Sequence, residues 1–397
     1  MRDGIAILVV GLMLTAALVA TMLSGRSGVP SMLLFLAIGM IVGSDGLDWL
    51  DFGNYTLARR VGIICLALIL FEGGLAAGFK ELRPVLGASA SLALVTTTIT
   101  AVIGGLAAAS LFGLSTVEGL LLGSIVASTD GAATFGLLRG SSLRRRIQLT
   151  LEGEAGLNDP VAVLLVLGFI EWLTHSDFGL GDMLWLFVKE LSIGAAAGAV
   201  VGIGSAWLLN RVSLASRGLY PVASLACAAL AYGAADSLHG SGFLAVYLTG
   251  MALAGVRPDV RAAIEPFHDS LALLAQLTLF LVLGLLVFPS RLGDVALKGT
   301  VLALVSVVVA RPVGVFAALP FGYSARERGV LAWAGMRGAV PVVLATFGVT
   351  SHVAHSIEFF DIVFFAVLIS TLLQGLTFEP LARRFGATGK AVPASAG

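Results

Sequence analysis

Residues 151–163 read Leu-Glu-Gly-Glu-Ala-Gly-Leu-Asn-Asp-Pro-Val-Ala-Val, which sets the carboxylate of Asp159 in the middle of an apolar segment. Val161 to Ile170 continue without a charge, and Arg146 lies 13 residues before Asp159. A helix rises 1.5 Å per residue, so Asp159 falls roughly 20 Å past the basic edge, near the centre of a ~30 Å hydrocarbon core. An ionisable group at that depth is costly and marks an ion or proton pathway by default. A carboxylate in a half-dry cavity can hold a proton or a monovalent cation, but hardly both. A sodium or potassium ion needs several oxygens to replace its water. Asp159, Asn158, Thr129, Asp130 and freed backbone carbonyls are the candidates to supply them.

The segment has a helical geometry of its own. At about 100° per residue, Glu152, Ala155 and Asp159 share one face, while Glu154 and Asn158 share a neighbouring one. Asp159 can therefore face a cavity while Glu154 faces another helix. Pro160 has no N–H to donate and leaves the Gly156 carbonyl free. Arg337, a second charge within an apolar run, needs a carboxylate so as not to repel the cation. Glu154 is the expected partner, because Asp159 must stay free. Arg311, just before Pro312, reads as a structural partner of an acid or of helix carbonyls.

These residues need a membrane-spanning frame to position them, and the composition supplies one. Charged residues make up 12% of 397 and hydrophobic ones 58%, which excludes an ordinary soluble domain. The 49 glycines fit helices packed closely through small side chains. A net charge of zero gives no reason to expect nucleic acid as a partner. Cys65 and Cys227 lie in apolar stretches and read as small core residues, not as a disulfide. Gly4 to Leu23 reads as a first span and not as a cleaved signal peptide.

About thirteen spans are expected, near 4–23, 29–44, 59–77, 84–110, 116–139, 148–173, 183–209, 219–236, 240–256, 268–288, 295–319, 327–348 and 359–378. The fold class is thus an all-α polytopic membrane protein. Residues 1–380 form one transmembrane domain, followed by a short cytoplasmic tail at 381–397. Segments after odd-numbered spans carry 16 Lys and Arg, among them Lys80, Arg139, Arg144 to Arg146 and Arg328; the opposite side carries 6. The excess of basic residues on cytoplasmic loops then places the N-terminus outside and the C-terminus in the cytoplasm.

Spans five and twelve share a pattern. Asp130-Gly-Ala-Ala in 116–139 corresponds to Arg337-Gly-Ala-Val in 327–348, seven spans later. An odd offset reverses orientation, the signature of inverted-topology repeats, and breaker-rich spans at matching places indicate discontinuous helices crossing at a midplane site. Depth agrees. Asp130 is nine residues from Arg139, Arg337 nine from Arg328, and Glu72 eight from Lys80. Each sits about 12–14 Å inside the basic edge, in one slab with Asp159 somewhat deeper.

Together, Phe71-Glu72-Gly73-Gly74-Leu75, Ser128-Thr129-Asp130, Glu154 through Pro160 and Gly335 through Pro341 resemble the sodium/proton exchanger branch of the monovalent cation:proton antiporters. Within it, the chain is most similar to bacterial sodium- or potassium/proton antiporters. The resemblance implies a homodimer of thirteen-span protomers in a bacterial inner membrane, moving by an elevator-like or rocking shift. It implies that Asp159 alternately carries cation and proton, and that Asn158 marks the electroneutral branch with 1:1 exchange. It places Thr129 and Asp130 at the crossing of the broken helices, and pairs Glu154 with Arg337. Glu72 would help the ion approach. No cofactor is implied; the partners are Na+ or K+, H+ and the lipid bilayer.

Two features depart from the family's pattern. Ala155 stands where sodium-coordinating exchangers often have a hydroxyl residue, and related potassium/proton antiporters commonly carry a cytoplasmic regulatory domain after the last span. An intramembrane aspartyl protease would also place two Asp residues on adjacent spans. It needs Gly-x-Gly-Asp and Pro-Ala-Leu motifs, and neither occurs here. A cation channel would need a filter-like segment, which is also missing. His352 and His355 read as exposed loop residues, and Asp236 and His239 as interfacial ones at a tight turn.

Overall fold

The computed structural model describes residues 2–27, 31–50, 52–131, 143–319 and 321–385. The apolar runs fold as helices α1 (Arg2–Ser27), α2 (Ser31–Val42), α3 (Tyr55–Ala77), α4 (Leu86–Phe112), α5 (Thr116–Ala127), α6 (Arg145–Thr174) and α7 (Leu180–Arg211). They continue as α8 (Leu219–Ser237), α9 (Gly242–Leu253), α10 (Pro258–Leu285), α11 (Pro289–Ala318), α12 (Ala325–Trp333), α13 (Ala339–Thr350) and α14 (Ser356–Arg384). Among the described residues, eight helices are long and apolar enough to cross a membrane. The shorter apolar helices fall within the remaining expected spans. In lipid every backbone N–H and C=O needs an internal partner, which is why the spans are helical.

Both expected discontinuities are present. Span five stops as α5 at Ala127 and continues without helix through Ser128 to Asp130; 132–142 lie outside the described residues. Span twelve is α12, a non-helical stretch over 335–338, and α13. The first halves begin alike. Ser115 and Glu118 close a capping box on α5, and Ser324 and Glu327 close one on α12, so each re-entering chain starts with its N-terminal N–H groups satisfied. The neighbouring spans match as well, since π-helical turns interrupt α4 at Leu92–Thr96 and α11 at Val305–Ala310. Such turns concentrate at functional sites.

The repeat extends to the flanking helices. α2 packs on α10, and α9 packs on α3. A Cβ added at Gly39 would strike the Leu281 carbonyl oxygen, and one at Gly284 the Leu36 carbonyl oxygen. Likewise a Cβ at Gly74 would strike the Tyr247 carbonyl oxygen, and one at Gly250 that of Phe71. In each pair the blocking carbonyl lies three residues before the partner glycine. Two helix crossings of one geometry, built from spans two and ten and from spans three and nine, are what an inverted repeat requires. Close approach through small residues replaces the hydrophobic drive that lipid removes.

Candidate functional site

Thr129, Asp130, Glu154, Asn158, Asp159 and Arg337 are all buried, and the structure gathers them where α5, α6, α12 and α13 meet. A helix that stops inside a membrane leaves its end carbonyls or N–H groups without partners, and charged groups of opposite sign stabilise those ends. Asp130 does this for α13: its Oδ2 accepts from the Ala339 N–H at 2.8 Å, and its own N–H donates to the Met336 carbonyl at 2.8 Å. Arg337 does the converse for α5. Its Nε donates to the Val126 carbonyl at 3.1 Å, and its other nitrogens to the carbonyls of Gly335 at 2.9 Å and Ser306 at 3.5 Å. Each broken span thus supplies the charge that caps the other.

The expected Glu154–Arg337 ion pair does not form. Glu154 pairs instead with Arg311: Nη1 lies 2.9 Å from Oε1, and Nη2 donates a hydrogen bond to Oε2 at 3.1 Å. Arg311 also donates to the carbonyls of Ala332 at 3.1 Å and Leu331 at 3.2 Å, the last turn of α12. This is the role expected of Arg311, an acid and helix carbonyls together. The physical reason for the exchange is that Arg337 sits within the break and its guanidinium reaches the end of α5. Arg311 enters from α11 and faces α6. Gly335 makes room for it, since a Cβ there would overlap the Arg311 guanidinium.

Asn158 spends both ends of its amide. Its Oδ1 accepts from the Thr129 N–H at 3.2 Å and its Nδ2 donates to Thr97 Oγ1 at 2.7 Å, tying α6 to the break in span five and to α4. Thr97 was not singled out from the sequence. A run of three threonines, Thr96 to Thr98, inside an apolar span was the available signal. Near it, the hydroxyls of Thr96, Thr100 and Ser306 are buried without partners among the described residues. They lie along the antiparallel contact of α4 with α11, where Thr96 meets Gly314 and Ser306 meets Gly104.

Asp159 differs from its neighbours. It is 1% exposed, and its Oδ1 has no hydrogen-bond partner among the described residues. A buried carboxylate oxygen left open is costly unless something else occupies it. A carboxylate oxygen of this kind can take up a proton or a hard monovalent cation. Glu72 is buried in the last third of α3, which packs on α6 and α13.

Broken helices crossing at a buried polar site in an inverted-repeat bundle define a secondary transporter. The chain belongs to the sodium/hydrogen exchanger transmembrane family, whose profile matches residues 13–384; it is a family of transporters, not enzymes. The chain is 38% identical over 383 residues to a K(+)/H(+) antiporter NhaP of Alkalimonas amylolytica, covering 96% of this chain and 67% of that protein. It is 27% identical over 378 residues to the Na(+)/H(+) antiporter ApNhaP of Aphanothece halophytica, covering 91% and 70%. The chain spans about two thirds of the length of these curated relatives. Its fold is similar to that of the sodium proton antiporter MjNhaP1 from Methanocaldococcus jannaschii, with a TM-score of 0.82, 24% identity and coverage of 97% and 99%.

Proposed function

We propose that this chain is an electroneutral monovalent cation/proton antiporter in which Asp159 alternately binds one cation and one proton. The observation that carries this is the open Oδ1 of Asp159, while Asp130, Glu154, Asn158 and Arg337 each hold a helix end, a guanidinium or a neighbouring chain in place. One exchangeable carboxylate that holds either a cation or a proton gives 1:1 stoichiometry and moves no net charge. Thr129, Asn158 and Asp130 border the ion, and Glu72 lies on its approach.

Potassium is favoured over sodium. The relative named a K(+)/H(+) antiporter is more similar than the one named a Na(+)/H(+) antiporter, and Ala155 withholds a hydroxyl from the face that carries Asp159. The protein works as a homodimer of thirteen-span protomers in a bacterial inner membrane, N-terminus outside and C-terminus in the cytoplasm, as the basic-residue asymmetry supports. The test is a proteoliposome assay with the purified protein. An imposed potassium gradient drives proton movement that is indifferent to a clamped membrane potential, and Asp159→Asn abolishes it. Potential-driven flux, or full activity in Asp159→Asn, overturns the reading.

A further inference from the structure

Tyr247 is fully buried at 1% exposure, yet its hydroxyl has no partner among the described residues. It belongs to α9, where its carbonyl packs on Gly74 of α3. Its ring edge fills the space over Gly156 on α6, so closely that a Cβ at 156 would overlap the Cζ and Cε2 atoms. A helical side chain leans over the turn before its own Cα, so the ring occupies the surface between the turns of Glu152 and Gly156. Asp159 leans by the same rule toward the turn of Ala155 and Gly156. Tyr247 is thus placed beside the strip that separates Glu152 from Asp159.

Those two acids share one face of α6, about 10 Å apart along its axis. Glu152 lies toward the Arg145 end of the helix, with its side chain 13% exposed. Its Oε1 accepts from Gln148 Nε2 at 2.8 Å and lies 4.0 Å from Arg145 Nη1. A partly wetted acid, an unpartnered phenol and a carboxylate with an open oxygen therefore follow one another along α6. Among the described residues nothing else uses the Tyr247 hydroxyl, whereas the ring alone would serve for packing.

We propose that Glu152 and Tyr247 form the approach to Asp159 from the Arg145 end of α6. Glu152 collects the cation at the mouth, and the Tyr247 hydroxyl replaces one of its waters as it passes to Asp159. This rests on the antiport reading above, with the Arg145 end facing the cytoplasm. The test compares wild type, Tyr247→Phe and Glu152→Gln in right-side-out and inverted vesicles, with potassium offered at one face at a time. Tyr247→Phe removes the hydroxyl and Glu152→Gln removes the charge, each with little change of shape.

Each is expected to raise the KM for potassium at the cytoplasmic face roughly three- to tenfold, the equivalent of one hydrogen bond, and to leave the KM at the outer face unchanged. The double variant is expected to lose less than the product of the two, since both act on one path. Wild-type KM in either single variant, or equal changes at both faces, overturns the proposal. Wild type without exchange at either face overturns the antiport reading instead.

Discussion

Arg311 lies 2.9 Å from Glu154, and both side chains are 2% exposed. The pair joins α11 to α6, and the same guanidinium holds the last carbonyls of α12. Removing one member of a buried pair leaves an uncompensated charge, at a cost of about 3–5 kcal/mol. Glu154→Gln and Arg311→Met are each expected to lower the melting temperature in detergent strongly. The double substitution is expected to recover much of the loss. Arg337→Met should gain much less from Glu154→Gln, because no ion pair joins those two residues; equal recovery in that combination would contradict the assignment.

The Asp130 cap yields a graded series. Asn keeps an oxygen for the Ala339 N–H but drops the charge, whereas Ala drops both. Losing a cap costs about 1 kcal/mol, and losing a charge at a partly buried helix end up to ~2 kcal/mol more. Stability should therefore fall in the order Asp, Asn, Ala. Thermal unfolding of the three proteins checks it, and an Ala variant as stable as Asn would show that the Ala339 bond contributes nothing.

The sequence made the frame legible because lipid imposes strict rules. Apolar run length, basic edges and breakers in spans five and twelve were enough to find the helices and both discontinuities. Asp130 and Arg337 were expected at one depth with Asp159 somewhat deeper, and all three are buried. What depth cannot give is azimuth and reach. Glu154 and Arg337 share a level, but Arg337 turns toward the α5 carbonyls and Arg311 fills the place expected for it. Thr97 and Tyr247 were missed for a related reason. A threonine or tyrosine in an apolar helix carries no charge to mark it, and only the packed structure shows whether its hydroxyl has a partner.

Asn158 holds three elements with one amide, so its replacement should be felt at a distance. Asn158→Ala strands the Thr129 N–H and the Thr97 hydroxyl, and a stranded buried polar group costs about 1–3 kcal/mol. Asn158→Asp can still accept from Thr129 but cannot donate to Thr97 when ionised, and it adds a carboxylate beside Asp130 and Asp159. Both variants are expected to unfold at lower temperature. Hydrogen exchange should rise at the Thr129 amide in Asn158→Ala and stay near wild type in Asn158→Asp; the reverse order would refute the bridging role.

Ala155 gives the sharpest handle on ion choice. It is buried on the face of α6 that carries Asp159, and serine differs from it by one oxygen. In Ala155→Ser that hydroxyl adds an oxygen on the face of the Asp159 carboxylate. A compact shell of oxygens benefits the smaller ion more, because sodium gives up its water only for near ligands. One additional hydrogen-bond-sized interaction corresponds to roughly a three- to tenfold gain in affinity. Ala155→Ser should therefore shift the ratio of sodium to potassium affinity toward sodium by that factor, measured as competition for proton release from the purified protein. Gly156→Ala, one residue on, should instead suppress release for both ions, because its Cβ overlaps the Tyr247 ring. If Ala155→Ser leaves the sodium-to-potassium ratio unchanged, position 155 does not line the ion site, and the preference must be set by Thr129 and the carbonyls of the broken helices.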